Sequence, residues 1–268
     1  MKRKPAVAGY FYPERKDELY SLLSSFAIPE QHVSGTIIGA VVPHAGIIYS
    51  GRTAMYSYRA IEKSAVRDFV IIGPNHRPLT PYASLYPEGE WSTPLGDALI
   101  NDRMAEALYR DSNYIVKDEE SHLMEHSVEV QIPFLQYLFG DGFRFVPVIL
   151  GDQEIDVARD IGEAIMKIED PFIFIASSDF THYEDAKRVE KKDMDLISAI
   201  LTLDLDKFYS VLEKENVTAC GYGAIAALMY YTKKRGGRMI FLNHSNSGDV
   251  TGDYSEVVGY ASLVSVIP

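Results

Sequence analysis

TIIGAVVPHAG, residues 36–46, is the stretch on which the fold turns. An apolar strand, 36–42, stops at Pro43 and delivers His44 into Ala45-Gly46. The pattern occurs twice more. FVII at 69–72 leads into Gly73-Pro74-Asn75-His76, and FIFIA at 172–176 leads into Ser177-Ser178-Asp179-Phe180-Thr181-His182. In an α/β sheet, ligands bind in the crevice beyond the carboxyl ends of the strands. Imidazole is the commonest metal ligand, and its charge changes near neutral pH. Three imidazoles delivered to one sheet edge therefore point to a metal or acid/base site. The chain holds only 7 histidines, so three in this context are not scatter.

Outward from these strands the pattern is mixed and mostly alternating. Leu19, Leu22, Leu23 and Phe26 predict a helix over 16–26. Further helices are predicted near 51–62, 101–110, 154–168, 187–202, 205–213 and 221–235. One more is predicted over 127–139, with Val128, Ile132, Leu135 and Phe139 on one stripe; Pro133 inside it is expected to kink or restart the helix. Residues 82–86, 144–150, 238–242 and 257–266 read as strands. PEGEWSTPLGD, from residue 87, and HSNSGDVTGDYSE, from residue 244, read as turns and loops. No internal repeat or low-complexity linker interrupts the 268 residues. The expectation is one α/β domain over 1–268, with a central mostly parallel or mixed sheet flanked by helices on both faces.

Composition narrows the class. Acidic residues outnumber basic ones, 38 to 26, for a net charge of −12. That argues against nucleic acid, whose phosphates need clustered Lys and Arg. No apolar run reaches the roughly 20 residues of a membrane helix. The basic start, MKRKPAVAGYFYPERK, lacks the apolar core of a signal peptide. A single cysteine excludes an internal disulfide and fits a reducing cytoplasm. A cytoplasmic protein with no membrane partner is expected.

His44 and His76 read either as hydrogen-bonded strand-end residues or, taken together, as one shared site. Asp179 is close enough in sequence to orient His182 or to join a metal's shell. The alternative is a helix N-cap followed by an exposed first-turn histidine. His122 and His126 are four apart, so a helix would place them on one face, but HLMEH is not the HExxH zinc motif. Cys220 precedes a convincing helix, whose N-terminus would stabilise a thiolate. The alternative is a buried, inert thiol. With His182 as base, Cys220 is also a candidate nucleophile. Dinucleotide, P-loop and nucleophile-elbow motifs are missing, so nothing supports an NAD enzyme, an ATPase or an α/β-hydrolase.

AVAGYFYP, VVPHAGIIYSG, IIGPNH, WSTPLGD, EHSVEVQIPFL, SSDFTHY, TACGYG and SGDVTGDYSEVVGY follow one another from residue 6 to about 265. This ordered series resembles the Memo family, in its microbial branch. The resemblance implies a fold like that of the class III extradiol dioxygenases, which are non-haem iron enzymes. It also implies His44 and His76 as metal ligands, with Cys220 as the third where the dioxygenases have a carboxylate. His182 would be the acid/base histidine, with Asp179 beside it, and His126 a second pocket histidine. Iron is the implied metal; a site of two histidines and a cysteine also suits copper or zinc. The resemblance further implies a pathway shared with AMMECR-type and radical-SAM proteins. The expected function is oxidoreductase-like chemistry on an unidentified small molecule. The alternative is a non-catalytic protein that keeps the pocket to hold a ligand or peptide.

Overall fold

The computed structural model describes residues 1–77 and 81–268. Strand β1 (Lys2–Arg3) and helix α1 (Lys16–Ser25) precede the first central strand, β2 (Thr36–Val42). Helix α2 (Ile47–Glu62) starts four residues earlier than its predicted 51, directly after Gly46. Ile47 is fully buried, which extends the packed face back to the histidine loop. Next come β3 (Asp68–Pro74), β4 (Ala83–Leu85), β5 (Glu90–Thr93), β6 (Gly96–Ile100), α3 (Asp102–Asp111) and β7 (Ile115–Lys117). The segment predicted as turns from residue 87 is thus largely the β5–β6 hairpin. Trp91 and Ala98 pair across it and face the core, and Gly96 at φ +137° makes the turn. Short strands with so few apolar positions carry little periodic signal.

The helix predicted over 127–139 divides. A 3-10 turn at Glu129–Gln131 leads into α4 (Ile132–Phe139), so Pro133 lies in the first turn. There its missing N–H is not needed. Strand β8 (Arg144–Leu150), α5 (Ile155–Met166), β9 (Ile173–Ser177), β10 (His182–Glu184), α6 (Ala186–Leu201), α7 (Leu205–Lys214) and α8 (Tyr222–Lys234) follow. Strand β11 (Arg238–Asn246) is longer than predicted, because polar residues 243–246 also pair with β12 (Val257–Ile267). The short α9 (Gly248–Thr251) sits in the loop between them.

Twelve strands form one mixed sheet among the described residues. At its centre β8, β3, β9 and β2 lie side by side and parallel. Strand β12 runs antiparallel to β2, β11 and β10. The expectation of an α/β domain with a mixed sheet covered on both faces is met. Side chains alternate between two cores, as a period of two requires. Phe69 and Ile71 of β3 face the core built with α1, α2 and α4, whereas Val70 and Ile72 face the one built with α3 and α5–α8. Burial on both sides explains why these strands read as unbroken apolar runs.

Gly39 lets α8 sit close on the sheet. A Cβ there would come 2.5 Å from Leu228 Cδ1 and 2.7 Å from the Phe174 carbonyl oxygen. This approach packs the middle of α8 directly on β2 and β9. No helix among the described residues is long and apolar enough to cross a membrane.

Candidate metal centre

The parallel register brings the three histidine loops to one edge. Val42 pairs with Ser177 and Ile72 with Ala176, so the chain leaves β2, β3 and β9 at the same level. Asp179 then ties two loops together: its Oδ1 accepts the backbone N–H groups of His44 (2.9 Å) and Ala45 (3.2 Å).

The surroundings of His44 determine where its proton sits. Gln131 donates from Nε2 to the Pro43 carbonyl (2.9 Å) and to Ser177 Oγ (2.8 Å), and its Oε1 accepts from Tyr58 (2.8 Å). A carbonyl only accepts, so the amide has one orientation. Ser177 spends its single proton on the Ser127 carbonyl (2.7 Å). At 2.8 Å from His44 Nδ1, Ser177 Oγ must therefore accept. His44 is the Nδ1–H tautomer, and its Nε2 lone pair faces the pocket.

His76 is set in the same way by a residue that the sequence reading passed over. Glu125 Oε1 lies 2.9 Å from His76 Nδ1, and a carboxylate accepts only. That leaves Nε2 as the His76 nitrogen available to a ligand. Glu125 is 2% exposed and also accepts the backbone N–H groups of His76 (2.6 Å), His126 (2.7 Å) and Ser127 (2.8 Å). With both oxygens committed, it holds His76 in place. In HLMEH the acidic residue beside the second histidine is the sequence signal for it.

His122 and His126 do not share a helix face. His122 is buried beside Tyr86 and Trp91, with Nε2 on the Ser84 carbonyl at 3.0 Å. His126 enters the pocket, its ring 4.5 Å from that of His76 and 5.5 Å from that of His44, with Phe11 on it at 4.4 Å. Behind this segment Arg3 donates to the carbonyls of His122 and Glu125 (both 2.8 Å) and to Glu129 (2.7 Å). Nothing in the N-terminal sequence announced that Arg3 would be buried there.

Cys220 lies one residue before the Gly221 cap of α8. Its Sγ is 3.2 Å from His44 Nε2 and accepts the Asp179 N–H at 3.3 Å. Gly221 permits the approach, because a Cβ there would lie 2.3 Å from the Ser177 carbonyl oxygen. One nitrogen from each of His44 and His76 and the Cys220 sulfur lie within 4.8 Å of one another. His76, Glu125 and His126 form a second such group, and Asp179, His182 and Cys220 a third. Asp179 does not orient His182, however. Thr218 does: its Oγ1 accepts the His182 N–H (2.8 Å), and its carbonyl lies 3.0 Å from Nδ1. This makes His182 an Nδ1–H tautomer with a free Nε2.

Burial favours the neutral form of two pocket imidazoles, His44 and His126. Burial, then the neighbouring His126 and His76, push the His44 pKa well below its ordinary value. Burial is also the main cause that lowers His126, to about 4. Burial alone would raise Glu125, but the His76 hydrogen bond and nearby imidazoles hold it well below the usual carboxylate range. Asp179 is raised by burial against its two backbone bonds. Cys220 departs from the thiolate expected at a helix start. Although the residue is only half-buried, desolvation of the thiol, followed by Asp179, pushes its pKa well up.

The chain matches the family model described as "Memo-like protein" over residues 3–264. It is 66% identical over 265 residues to a MEMO1 family protein of Thermoplasma volcanium, covering 99% of this chain and 98% of that one. A MEMO1 family protein of Nitrosopumilus maritimus is 42% identical over 275 residues, covering 98% and 99%. Another from Thermotoga maritima is 42% identical over 279 residues, with the same coverage. The ordered motifs, the end-to-end model match and these full-length relatives agree: the chain belongs to the Memo-like protein family.

Proposed function

We propose that this chain is a metal-binding, oxidoreductase-like protein in which His44 Nε2, His76 Nε2 and Cys220 Sγ hold one ion, with iron the first choice and copper the second. The observation that carries this reading is the enforced pair of tautomers. Ser177 and Glu125 each occupy an Nδ1, which leaves each ring its Nε2; that of His44 lies 3.2 Å from the sulfur, and a ring nitrogen of His76 lies within 4.8 Å of both. Second-layer bonds of this kind fix ligating imidazoles in metal sites. The donor set also fits the softness of the candidate metals: imidazole suits iron, copper and zinc, and thiolate favours copper and zinc. A bound iron would supply one-electron chemistry towards a small molecule or oxygen.

The chain's own groups prepare the surroundings. Glu125 and Ser177 keep the ligand rings in register. Thr218 locks the His182 ring through Nδ1, which leaves Nε2 as the nitrogen that takes or returns a proton. Phe11 and His126 cover one side of the site and limit water there. Likeness to the extradiol dioxygenases belongs to this proposal as an analogy of fold, and ring cleavage does not follow from it.

A second reading is supported by Tyr183. It is 73% exposed, stands next to His182 with ring centroids 5.6 Å apart, and adopts φ +57°. An exposed aromatic ring held at a site mouth in a costly conformation also suits a pocket that grips a ligand or peptide without turnover. Metal analysis after oxygen-free purification decides the main reading. About one ion per chain is expected, with loss in His44→Ala, His76→Ala and Cys220→Ala variants. A metal-free wild type, or a Cys220→Ala variant of unchanged affinity, overturns it.

A further inference from the structure

Behind the loop that carries Cys220 lies a groove of about 740 Å³, formed by the start of α5, helix α7 and the start of α8. Its apolar part comes from Ile155, Leu212 and Val217. Tyr209 and Tyr222 stand together in its wall, ring centroids 5.9 Å apart and almost perpendicular. Glu154, Asp206 and Glu213 line it from exposed positions, and no lysine or arginine lines it among the described residues. The guanidinium nearest these acids, Arg159, is engaged by Asp156 and Asp206. The phenol of Tyr222 is raised by burial and then by Glu154 and Asp152, which marks the groove as negative.

We infer that this groove is a second binding site, for a small organic cation: an ammonium group on an aromatic or aliphatic body. The volume is that of a small-molecule site. The apolar floor takes the body, while the tyrosine rings and carboxylates take the charge. A bare metal ion does not fit. The three acids are spread over the start of α5 and the two ends of α7, and none belongs to a set of ligand atoms close enough to hold an ion among the described residues.

The groove and the metal centre share a wall, Val217–Cys220. Thr218 lines the groove and holds His182, and Cys220 lines it and approaches His44. Gln153 stitches this wall to the tyrosines. It donates to the Cys220 carbonyl (2.8 Å), accepts the Gly223 N–H (2.8 Å), and takes the Tyr209 hydroxyl on its own carbonyl (2.6 Å). A cation seated on Tyr209 and Tyr222 therefore changes the surroundings of His182. Binding itself does not depend on the metal reading.

The test is an NMR titration of the full chain with 2-phenylethylammonium, with 2-phenylethanol as the uncharged isostere. Saturable shifts of the His182 ring signals are expected, with the alcohol about tenfold weaker. A Glu154→Gln/Glu213→Gln variant should bind the ammonium about tenfold more weakly; both positions are exposed, so the fold is retained. A His44→Ala/His76→Ala variant should bind it as the wild type does, even with its metal lost. No saturation by roughly 20 mM, equal affinity for the alcohol, or loss of binding in the histidine variant would overturn the inference.

Discussion

Removing Arg3 should cost far more than its place near the N-terminus suggests. Its side chain is fully buried and pairs with an equally buried Glu129 at 2.7 Å, and its guanidinium lies 4.1 Å over Trp91. Arg3→Met leaves the Glu129 carboxylate with only the Ala6 and Val7 N–H groups and the Tyr12 hydroxyl. It also frees the carbonyls of His122 and Glu125. Breaking one side of a buried pair costs about 3–5 kcal/mol. Each orphaned carbonyl carries a penalty of about 1–3 kcal/mol, part of which overlaps that figure. A loss of about 4 kcal/mol is expected, a large share of a typical total stability. The single tryptophan, Trp91, sits in the same cluster and reports urea unfolding directly. An Arg3→Met/Glu129→Leu double variant should lose clearly less than the two single losses added together, with a coupling of about 2 kcal/mol. An Arg3→Met loss below about 1 kcal/mol, or additive single losses, refutes the reasoning.

Ser177→Ala removes the acceptor that fixes His44 Nδ1 and should weaken metal binding about 10–100-fold by competition titration, with little change in fold. Glu125→Gln should do at least as much through His76, because the amide cannot satisfy four donors. Acid should destabilise the protein through His122, whose folded pKa is lowered to about 3, chiefly by burial. Its stabilising contribution is whole above the unfolded pKa of about 6.5 and falls as pH drops towards 3, by about 1.4 kcal/mol per pH unit, because only the unfolded chain takes up the proton. Urea midpoints across that range should show the slope, and His122→Leu should make it shallower by the share of one proton, with buried His44 and His126 keeping the rest; an unchanged slope contradicts the assignment. Asn216, at φ +48°, should tolerate glycine at almost no cost, whereas Asn216→Val should lose about 1 kcal/mol or more in thermal unfolding.

The central sheet was legible in the sequence because β2, β3, β8 and β9 are buried on both faces and read as unbroken apolar runs. The hairpin of β5 and β6 was not, because strands of four and five residues are too short to carry a clear periodic signal. His44, His76 and His182 were legible because sheet topology sends strand ends to one edge. Cys220 stood out as the only cysteine, and of its two readings, a helix-start thiolate or a buried thiol, the raised pKa favours the second. The helix start offers its N–H groups elsewhere, and local burial outweighs the dipole. The orienting roles of Glu125, Ser177, Gln131 and Thr218 were not legible, for a common reason. Each acts by orienting a neighbour that is distant in sequence, and no spacing rule encodes such a contact.

X-ray absorption at the iron edge, on protein loaded without oxygen, tests the metal centre most directly. One sulfur scatterer at about 2.3 Å and two imidazole nitrogens near 2.0–2.2 Å are predicted, with the sulfur lost in Cys220→Ala. A first shell of nitrogen and oxygen alone in the wild type, or no stoichiometric metal to measure, would contradict it.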